Sequence, residues 1–185
     1  MKTALILIDI QNDYFPGGKG ELERPLEAAG QARKLLQFFR QQQWPTIHIQ
    51  HVAIRPGAVT FLPDTEGVQI HESIAPLAGE TVIVKHFPNS FRETNLLEYL
   101  KELKIERLVI CGMMTHMCVD AAVRAAVDFG YPVFLAADAC TTRALAYGET
   151  KIPAGQVHAA FLAALKSYGQ VMQTDEVIRE LEHKK

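Results

Sequence analysis

Short apolar runs alternate along the chain with segments whose apolar residues recur at helical spacing. The run "ALILID" (4–9) has branched apolar residues and no polar alternation, which is typical of a strand buried on both faces. The segment "RPLEAAGQARKLLQFFRQQQ" (24–43) places apolar residues three and four apart, which predicts an amphipathic helix. The same reasoning predicts strands at 4–9, 45–52, 80–86, 107–114, 131–139 and 170–173. It predicts helices at 24–43, 93–103, 118–130, 154–169 and 175–184.

Alternation of continuous apolar strands with helices predicts a parallel sheet that is covered by helices on both faces. The expected fold is therefore α/β, a three-layer αβα arrangement around a Rossmann-like parallel sheet of roughly six strands. No repeat or linker divides the sequence, and 185 residues suit one domain, so residues 1–185 are expected to form a single unit.

Composition excludes several functional classes. The chain is 48% hydrophobic and 22% charged, with a formal net charge of −2 and no basic stripe, so nucleic acid and anionic membranes are not expected partners. No apolar run approaches the ~20 residues of a membrane span. Three cysteines form an odd count, which argues against a disulfide framework and predicts a reduced, cytoplasmic protein.

Three chemically complementary residues follow strand ends. Asp9 ends the first strand, Lys85 ends the third, and the fourth leads through "GMMTHM" to Cys118 at the start of a helix. Each residue alone has an ordinary interpretation, since a charged strand end usually meets solvent and a cysteine among apolar residues usually packs. In a parallel sheet, however, reactive groups collect outside the carboxyl ends of the strands, which would bring these three together.

The three side chains would form a nucleophilic site. A thiol attacks as its thiolate, and both a helix N-terminus and a nearby ammonium favour that anion. A carboxylate beside them can accept the thiol proton and later pass it to a leaving amine. The sequence thus predicts a Cys118 nucleophile with thiolate character, with Asp9 as base and Lys85 as electrostatic support. Cys111 and Cys140 are expected to be mostly structural.

Three segments in this order resemble the isochorismatase-like cysteine hydrolases, which include nicotinamidases and N-carbamoylsarcosine amidohydrolases. They are "ALILIDIQNDYF", "VIVKHFPNSFRETNLLEYL" and "VICGMMTHMCVDAAVRAA". The resemblance implies that Asp9, Lys85 and Cys118 form the catalytic triad. It also implies a cis peptide bond between Met113 and Met114, and an oxyanion hole built from the backbone N–H groups of Met114 and Cys118. Members of the family commonly form homodimers or homotetramers, and no cofactor is expected.

Departures from the family pattern narrow the range of expected substrates. Nicotinamidases carry an Asp-x-His metal motif after the second strand, whereas this chain has "HIQHVAIRPG". His48 and His51 are three residues apart, so in a strand they face opposite sides and are poorly placed to share one metal. We therefore expect no metal site. True isochorismatases lack the cysteine, so the presence of Cys118 argues against their reaction. The expected reaction is then hydrolysis of a carbon–nitrogen bond in a small amide, lactam or carbamoyl compound. The pattern "HIQH…RPGA…FLPDTEG…IH" is similar to streptothricin hydrolases, which open a lactam.

Two questions stay open at this level. The loop 52–79 could be a lid, a subunit interface or an ordinary surface loop. A non-catalytic binding or interaction protein on the same fold is the alternative function, and a redox thiol protein ranks lower because no Cys-x-x-Cys is present. Candidate substrate-pocket residues, several of which could equally be core or surface, are Phe15, Phe61, Phe91, Thr115 and His116.

Overall fold

A sheet of six parallel strands forms the centre of the computed structural model, which describes residues 1–183 of the chain. Its strands are β1 (Thr3–Ile8), β2 (Thr46–His51), β3 (Thr81–Lys85), β4 (Arg107–Met113), β5 (Val133–Thr141) and β8 (Gln170–Met172), while β6 (Leu145–Tyr147) and β7 (Thr150–Ile152) lie outside this sheet. The strand order is β3-β2-β1-β4-β5-β8, so the first strand lies in the middle and the chain winds outward in both directions.

Strands β1 and β4 are buried along their whole length, as their unbroken apolar runs predict. They pair in register from Thr3 with Arg107 to Ile8 with Gly112. Helices cover both faces of the sheet, so the predicted three-layer α/β fold is confirmed. Strand ends differ from the prediction by at most two residues, the largest shift being in β5.

All five predicted helices are present, with changes at their ends. They are α1 (Pro25–Gln41), α2 (Leu96–Glu102), α3 (Asp120–Asp128), α4 (Ala154–Leu165) and α5 (Thr174–His183). Helix α2 begins three residues later than predicted because the Thr94 hydroxyl donates to the Ser90 carbonyl and accepts from Leu96 N–H, which forms a separate turn. Lys184, the last residue of the predicted α5, lies outside the described residues. Within residues 1–183 no helix combines the length and apolar character that a membrane crossing requires.

One structural element is not predicted by the sequence pattern. Strands β6 (Leu145–Tyr147) and β7 (Thr150–Ile152) form an antiparallel hairpin around Gly148, whose φ is +57°. Each strand has only three residues, most of them exposed, so the sequence shows no alternation of apolar and polar residues that would predict a strand.

Candidate active site

The ends of β1, β3 and β4 bring Asp9, Lys85 and Cys118 to one edge of the sheet. Asp9 directly follows β1, Lys85 is the last residue of β3, and a single π-helical turn (Thr115–Val119) after β4 carries Cys118. Lys85 Nζ lies 2.8 Å from Asp9 Oδ2, and both side chains are fully buried. The strand-end argument from the sequence therefore identifies residues that the fold does bring together.

Lys85 is held as an ammonium in a site built from oxygen acceptors. In addition to its ion pair with Asp9, its Nζ donates hydrogen bonds to the backbone carbonyl oxygens of Phe87 at 3.1 Å and Pro88 at 3.2 Å. Burial alone would lower the pKa of Lys85, but the Asp9 carboxylate and the Cys118 sulfur more than offset this and raise it. The cation thus stays charged across the whole physiological pH range.

Asp9 has an unusual backbone conformation and unusually free oxygens. Its φ of +51° lies in the left-handed region, which aspartate tolerates better than most residues. Oδ2 faces the ammonium at ion-pair distance but outside hydrogen-bond alignment, and Oδ1 has no hydrogen-bond partner within residues 1–183. A fully buried carboxylate with unused lone pairs is well placed to accept a proton.

Cys118 is the third residue of the group. Its sulfur is within 4.8 Å of a carboxylate oxygen of Asp9 and a ring nitrogen of His51, and only 4% of the residue is exposed. Burial, reinforced by Asp9, raises the pKa of the Cys118 thiol well above its ordinary value, although Lys85 opposes the shift. The expectation of a thiolate is therefore corrected, because burial outweighs the ammonium and leaves a neutral thiol beside the Asp9 carboxylate.

The connector before Cys118 has a special backbone. The peptide bond between Met113 and Met114 is cis, and Gly112 before it has a φ of +134°. A Cβ at Gly112 would lie 2.1 Å from the carbonyl oxygen of Ile8, so only glycine lets β4 approach β1 this closely. Val119 N–H then donates to the Met114 carbonyl at 3.2 Å, which closes the π-helical turn. An oxyanion hole at the N–H groups of Met114 and Cys118 stays a prediction.

Two residues that the sequence did not assign also reach the triad. His51 Nδ1 lies 3.4 Å from Lys85 Nζ, and burial lowers the pKa of this imidazole, so it is neutral near pH 7. Burial, reinforced by the nearby Asp9 carboxylate, raises the pKa of Tyr14 well above its ordinary value. Tyr14 lies five residues after Asp9 in the opening motif, and this proximity was the one available signal.

The two histidines of β2 separate as the strand period predicts. His51 faces the triad, whereas His48 is buried on the other side, where its Nε2 lies 3.1 Å from Glu80 Oε2. Burial lowers the pKa of His48 despite this carboxylate. The pair cannot act together on one metal, in agreement with the sequence argument.

The three predicted aromatic pocket residues lie in different environments. Phe61 is buried, with its ring centroid 5.7 Å from that of His51 and 4.7 Å from that of Tyr14, so it lies beside the site. Phe15 is stacked on His71 at 3.6 Å, and Phe91 packs near the end of α3. Of the three, Phe61 has the contacts that best suit a wall of the active site.

Thr115 and His116 turn toward the neighbouring strand and helix. The Thr115 hydroxyl donates to the Thr141 carbonyl at 3.1 Å and lies 2.8 Å from His158 Nδ1 on α4, and the residue is fully buried. His116 Nδ1 is hydrogen bonded to the Thr142 hydroxyl. These contacts favour a role in holding the connector against β5 and α4, because the polar atoms of Thr115 are already used.

The loop 52–79 is fastened over the turn that follows Asp9. The fully buried Gln11 side chain accepts from His51 N–H and donates to the carbonyls of His51 and Val68. The Asp13 carboxylate accepts from the N–H of Phe61 at 2.5 Å. The loop thus forms a cover beside the site, held by Gln11 and Asp13, and its Phe61 ring lies next to that of His51.

Two surface cavities lie elsewhere. One of about 360 Å³ is bordered by Cys140 and His158, and one of about 780 Å³ is bordered by Phe15 and His71. Neither is lined by Asp9, Lys85 or Cys118. The full burial of Asp9 and Lys85 and the 4% exposure of Cys118 leave the triad little contact with solvent.

Comparisons with known proteins agree with this architecture. The family model described as the isochorismatase domain matches residues 3–176. The chain is 51% identical over 176 residues to the uncharacterised isochorismatase family protein YddQ from Bacillus subtilis, which covers 95% of this chain and 98% of that protein. A crystal structure from Oleispira antarctica, assigned as an isochorismatase hydrolase, superposes with a TM-score of 0.93 at 48% identity and covers 96% of both chains.

A relative with a named activity is more distant. Streptothricin hydrolase from Streptomyces noursei is 32% identical over 141 residues, which is 75% of this chain and 49% of that enzyme. The fold, the arrangement of the triad and these matches lead to one conclusion: the chain belongs to the isochorismatase family of hydrolases.

Proposed function

We propose that the protein hydrolyses a carbon–nitrogen bond of a small amide, lactam or carbamoyl compound through a thioester on Cys118. The observation that carries the proposal is the meeting of a neutral thiol, an unsatisfied carboxylate and an ammonium within one buried site. A vinyl ether, the other substrate class of this family, would not require the thiol. The 32% identity to streptothricin hydrolase supports a carbon–nitrogen substrate.

The first half-reaction forms the acyl-enzyme. The Cys118 sulfur attacks the substrate carbonyl while its proton moves to Asp9, which removes the need for a resting thiolate. The resulting oxyanion is bound by the backbone N–H groups of Met114 and Cys118. The carbon–nitrogen bond then breaks, Asp9 returns the proton to the departing nitrogen, and a thioester remains.

The second half-reaction releases the acid. Asp9 accepts a proton from a water molecule, whose oxygen attacks the thioester carbonyl, and the C–S bond breaks. The sulfur regains the proton as the thiol, so each cycle consumes one amide and one water and yields one acid and one amine. Lys85 remains charged throughout and stabilises the carboxylate that handles each proton.

The test is a screen of small primary amides, lactams and carbamoyl compounds for released ammonia or amine. With the substrate that is found, Cys118→Ala and Asp9→Asn should each lower kcat by about 10³-fold or more, because nucleophile and base act as a unit. Cys140→Ala, which removes another buried cysteine, is the matched control and should retain activity.

Intact-mass spectrometry supplies a second readout. Rapid quenching of the wild-type protein should reveal an added acyl mass that hydroxylamine removes, and Cys118→Ala should show none. Wild-type turnover by Cys118→Ala on such a substrate would refute the assignment. If no compound is turned over but several bind saturably, the binding-protein alternative is favoured.

A further inference from the structure

We propose that His158 is a positioning residue for Cys118, which it holds in place through the hydroxyl of Thr115. The three residues lie on two elements, since helix α4 carries His158 and the π-helical turn Thr115–Val119 carries the other two. His158 is not one of the triad residues, so its effect on the reaction is indirect. An effect on turnover rests on the proposed function, whereas the hold on the turn does not.

The π-helical turn that carries Cys118 has limited support from its own backbone. The N–H groups of Met117 and Val119 both donate to the Met114 carbonyl, at 3.0 and 3.2 Å. Within residues 1–183 no side chain caps the start of the turn. Turns of this kind are rare and are frequent at functional sites. The position of the turn therefore depends on contacts with neighbouring elements.

Thr115 makes the polar contacts that join the turn to its neighbours. It is the first residue of the turn and is fully buried. Its Oγ1 lies 2.8 Å from His158 Nδ1 and 3.1 Å from the Thr141 carbonyl oxygen, so the hydroxyl links the turn to α4 on one side and to β5 on the other. Because Cys118 follows Thr115 by three residues in the same turn, a displacement of Thr115 would also displace the sulfur.

Helix α4 contacts two consecutive residues of the turn. His158 is hydrogen bonded to Thr115, and three residues later the Phe161 ring lies edge-on to the His116 ring, with centroids 5.9 Å apart. Residues three apart lie on the same face of a helix, so this face of α4 supports the turn. A hydrogen bond restricts both distance and angle, so the contact made by His158 is the more directional of the two.

The contact between His158 and Thr115 is a hydrogen bond whichever ring nitrogen carries the proton. Burial lowers the pKa of His158 more than the backbone acceptor at Ala137 raises it, so the imidazole is neutral near pH 7. A hydroxyl can both donate and accept. Thr115 Oγ1 therefore accepts from Nδ1–H in one tautomer and donates to the bare Nδ1 in the other.

The experiment compares variants of the full-length protein on the substrate that the amide screen finds. His158→Leu has a similar volume and should lower kcat by about tenfold or more while KM changes by less than about twofold, because even a ~1 Å misplacement of a reacting group can cost about 10²-fold. Thr115→Val should have the same effect. The double variant should lose at most about threefold more, since both changes remove one shared hydrogen bond.

Conservative variants of His158 separate the hydrogen bond from simple packing. The amide of His158→Asn reaches the position of Nδ1 and can bond to Thr115, so kcat should return to within about threefold of wild type. The amide of His158→Gln lies one carbon farther out, so this variant should resemble His158→Leu. A role in packing alone would not distinguish Asn from Gln in this way.

A second readout requires no substrate. Iodoacetamide labelling followed by site-resolved mass spectrometry should modify Cys118 at least about threefold faster in His158→Leu than in wild type, because release of the turn exposes the sulfur. Only 4% of Cys118 is exposed when the turn is held. Cys111, which is fully buried in β4, should react at an unchanged rate and shows that the effect is local. His158→Asn should be labelled as slowly as wild type.

His71→Leu is the matched control. His71 is also a partly buried histidine whose Nδ1 lies 2.9 Å from a hydroxyl, that of Ser73, but it lies in the loop 52–79. Its replacement should change kcat and the labelling rate of Cys118 by less than about twofold. Circular dichroism checks folding, and Thr115→Val replaces His158→Leu in both assays should the latter not fold.

The outcomes separate this role from the proposed function. Wild-type kcat or a wild-type labelling rate in folded His158→Leu overturns the positioning role, as does identical behaviour of His158→Leu and His158→Asn. Full turnover by Cys118→Ala would refute the proposed function instead. The labelling rates would then still decide whether His158 holds the turn.

Discussion

Replacing Lys85 by methionine tests the ion pair on which the site is built. The change keeps side-chain volume and length, so packing is largely preserved. It leaves the Asp9 carboxylate and the carbonyls of Phe87 and Pro88 without their cation, all inside a fully buried region. Breaking a buried pair from one side costs about 3–5 kcal/mol, so we expect the free energy of unfolding to fall by that amount. For a chain of 185 residues this corresponds to a melting temperature at least about 6 °C lower.

A double-mutant cycle separates the charge effect from simple loss of contacts. Asn at position 9 keeps the left-handed φ of +51° almost as well as Asp, so Asp9→Asn adds little backbone strain. The double variant Asp9→Asn/Lys85→Met removes both charges and should recover at least about 1.5 kcal/mol relative to the sum of the single changes.

The assay is urea unfolding at pH 7, followed by circular dichroism, with thermal melts in parallel. Lys34→Met is the matched control, because Lys34 pairs with Asp175 where both side chains are at least half exposed, and the expected cost is within about 0.5 kcal/mol. The reasoning is refuted if Lys85→Met unfolds within about 1 kcal/mol of wild type, or if the cycle shows no coupling.

Three further predictions concern Glu80, Gly112 and Cys118. Burial would raise the pKa of Glu80, but hydrogen bonds from Arg40 lower it from 4.5 to about 2. A carboxyl group whose pKa is lower in the folded than in the unfolded protein stabilises the fold at pH values above its unfolded pKa. Roughly 1–2 kcal/mol of the free energy of unfolding, discounted for solvent screening, should therefore be lost as the pH falls from about 4.5 to 2. Denaturation against pH should show this slope in wild type and not in Glu80→Gln. Gly112→Ala, whose Cβ would lie 2.1 Å from a β1 carbonyl oxygen, should lower the free energy of unfolding by about 3 kcal/mol or more. Gly155→Ala, on helix α4 with open space around the added Cβ, should instead be neutral or raise it by up to about 1 kcal/mol. Because burial raises the pKa of Cys118, iodoacetamide at pH 7 should alkylate it at least about tenfold more slowly than an unfolded-chain cysteine, and equal rates would contradict the neutral resting thiol.

The sequence was sufficient to predict the fold because its strands are apolar without interruption. A strand such as β1, buried at all six positions, cannot belong to a sheet with one solvent-exposed face, so helices must cover both sides. The same rule located Asp9 and Lys85, since both come at the carboxyl ends of apolar runs. Element ends were less predictable because they depend on side-chain hydrogen bonds such as that of Thr94, which have no periodic signature.

The environment of the site could not be predicted from the sequence. His51 is placed next to the triad by the pairing of β2 with β3. The Gln11 side chain, from a distant part of the chain, also holds it through hydrogen bonds to the His51 backbone. The raised pKa of Cys118 depends on how completely the cover excludes water, and charge and helix position alone suggested the opposite. The single-domain extent, cytoplasmic location, homodimer or homotetramer state and oxyanion hole stay predictions.

The neutral thiol changes the role that Lys85 must have. If Lys85 served mainly to create a thiolate, the ammonium would need to outweigh the burial of the sulfur, and it does not. Its 2.8 Å contact is with Asp9, so its main effect is to hold a charged carboxylate in a place where an unpaired one would be costly. In the proposed mechanism, Asp9 then takes the thiol proton as the sulfur attacks the substrate. Burial of the site fits this mechanism, because a neutral thiol in a dry site reacts slowly with dissolved oxidants and alkylating agents until a substrate carbonyl lies beside Asp9.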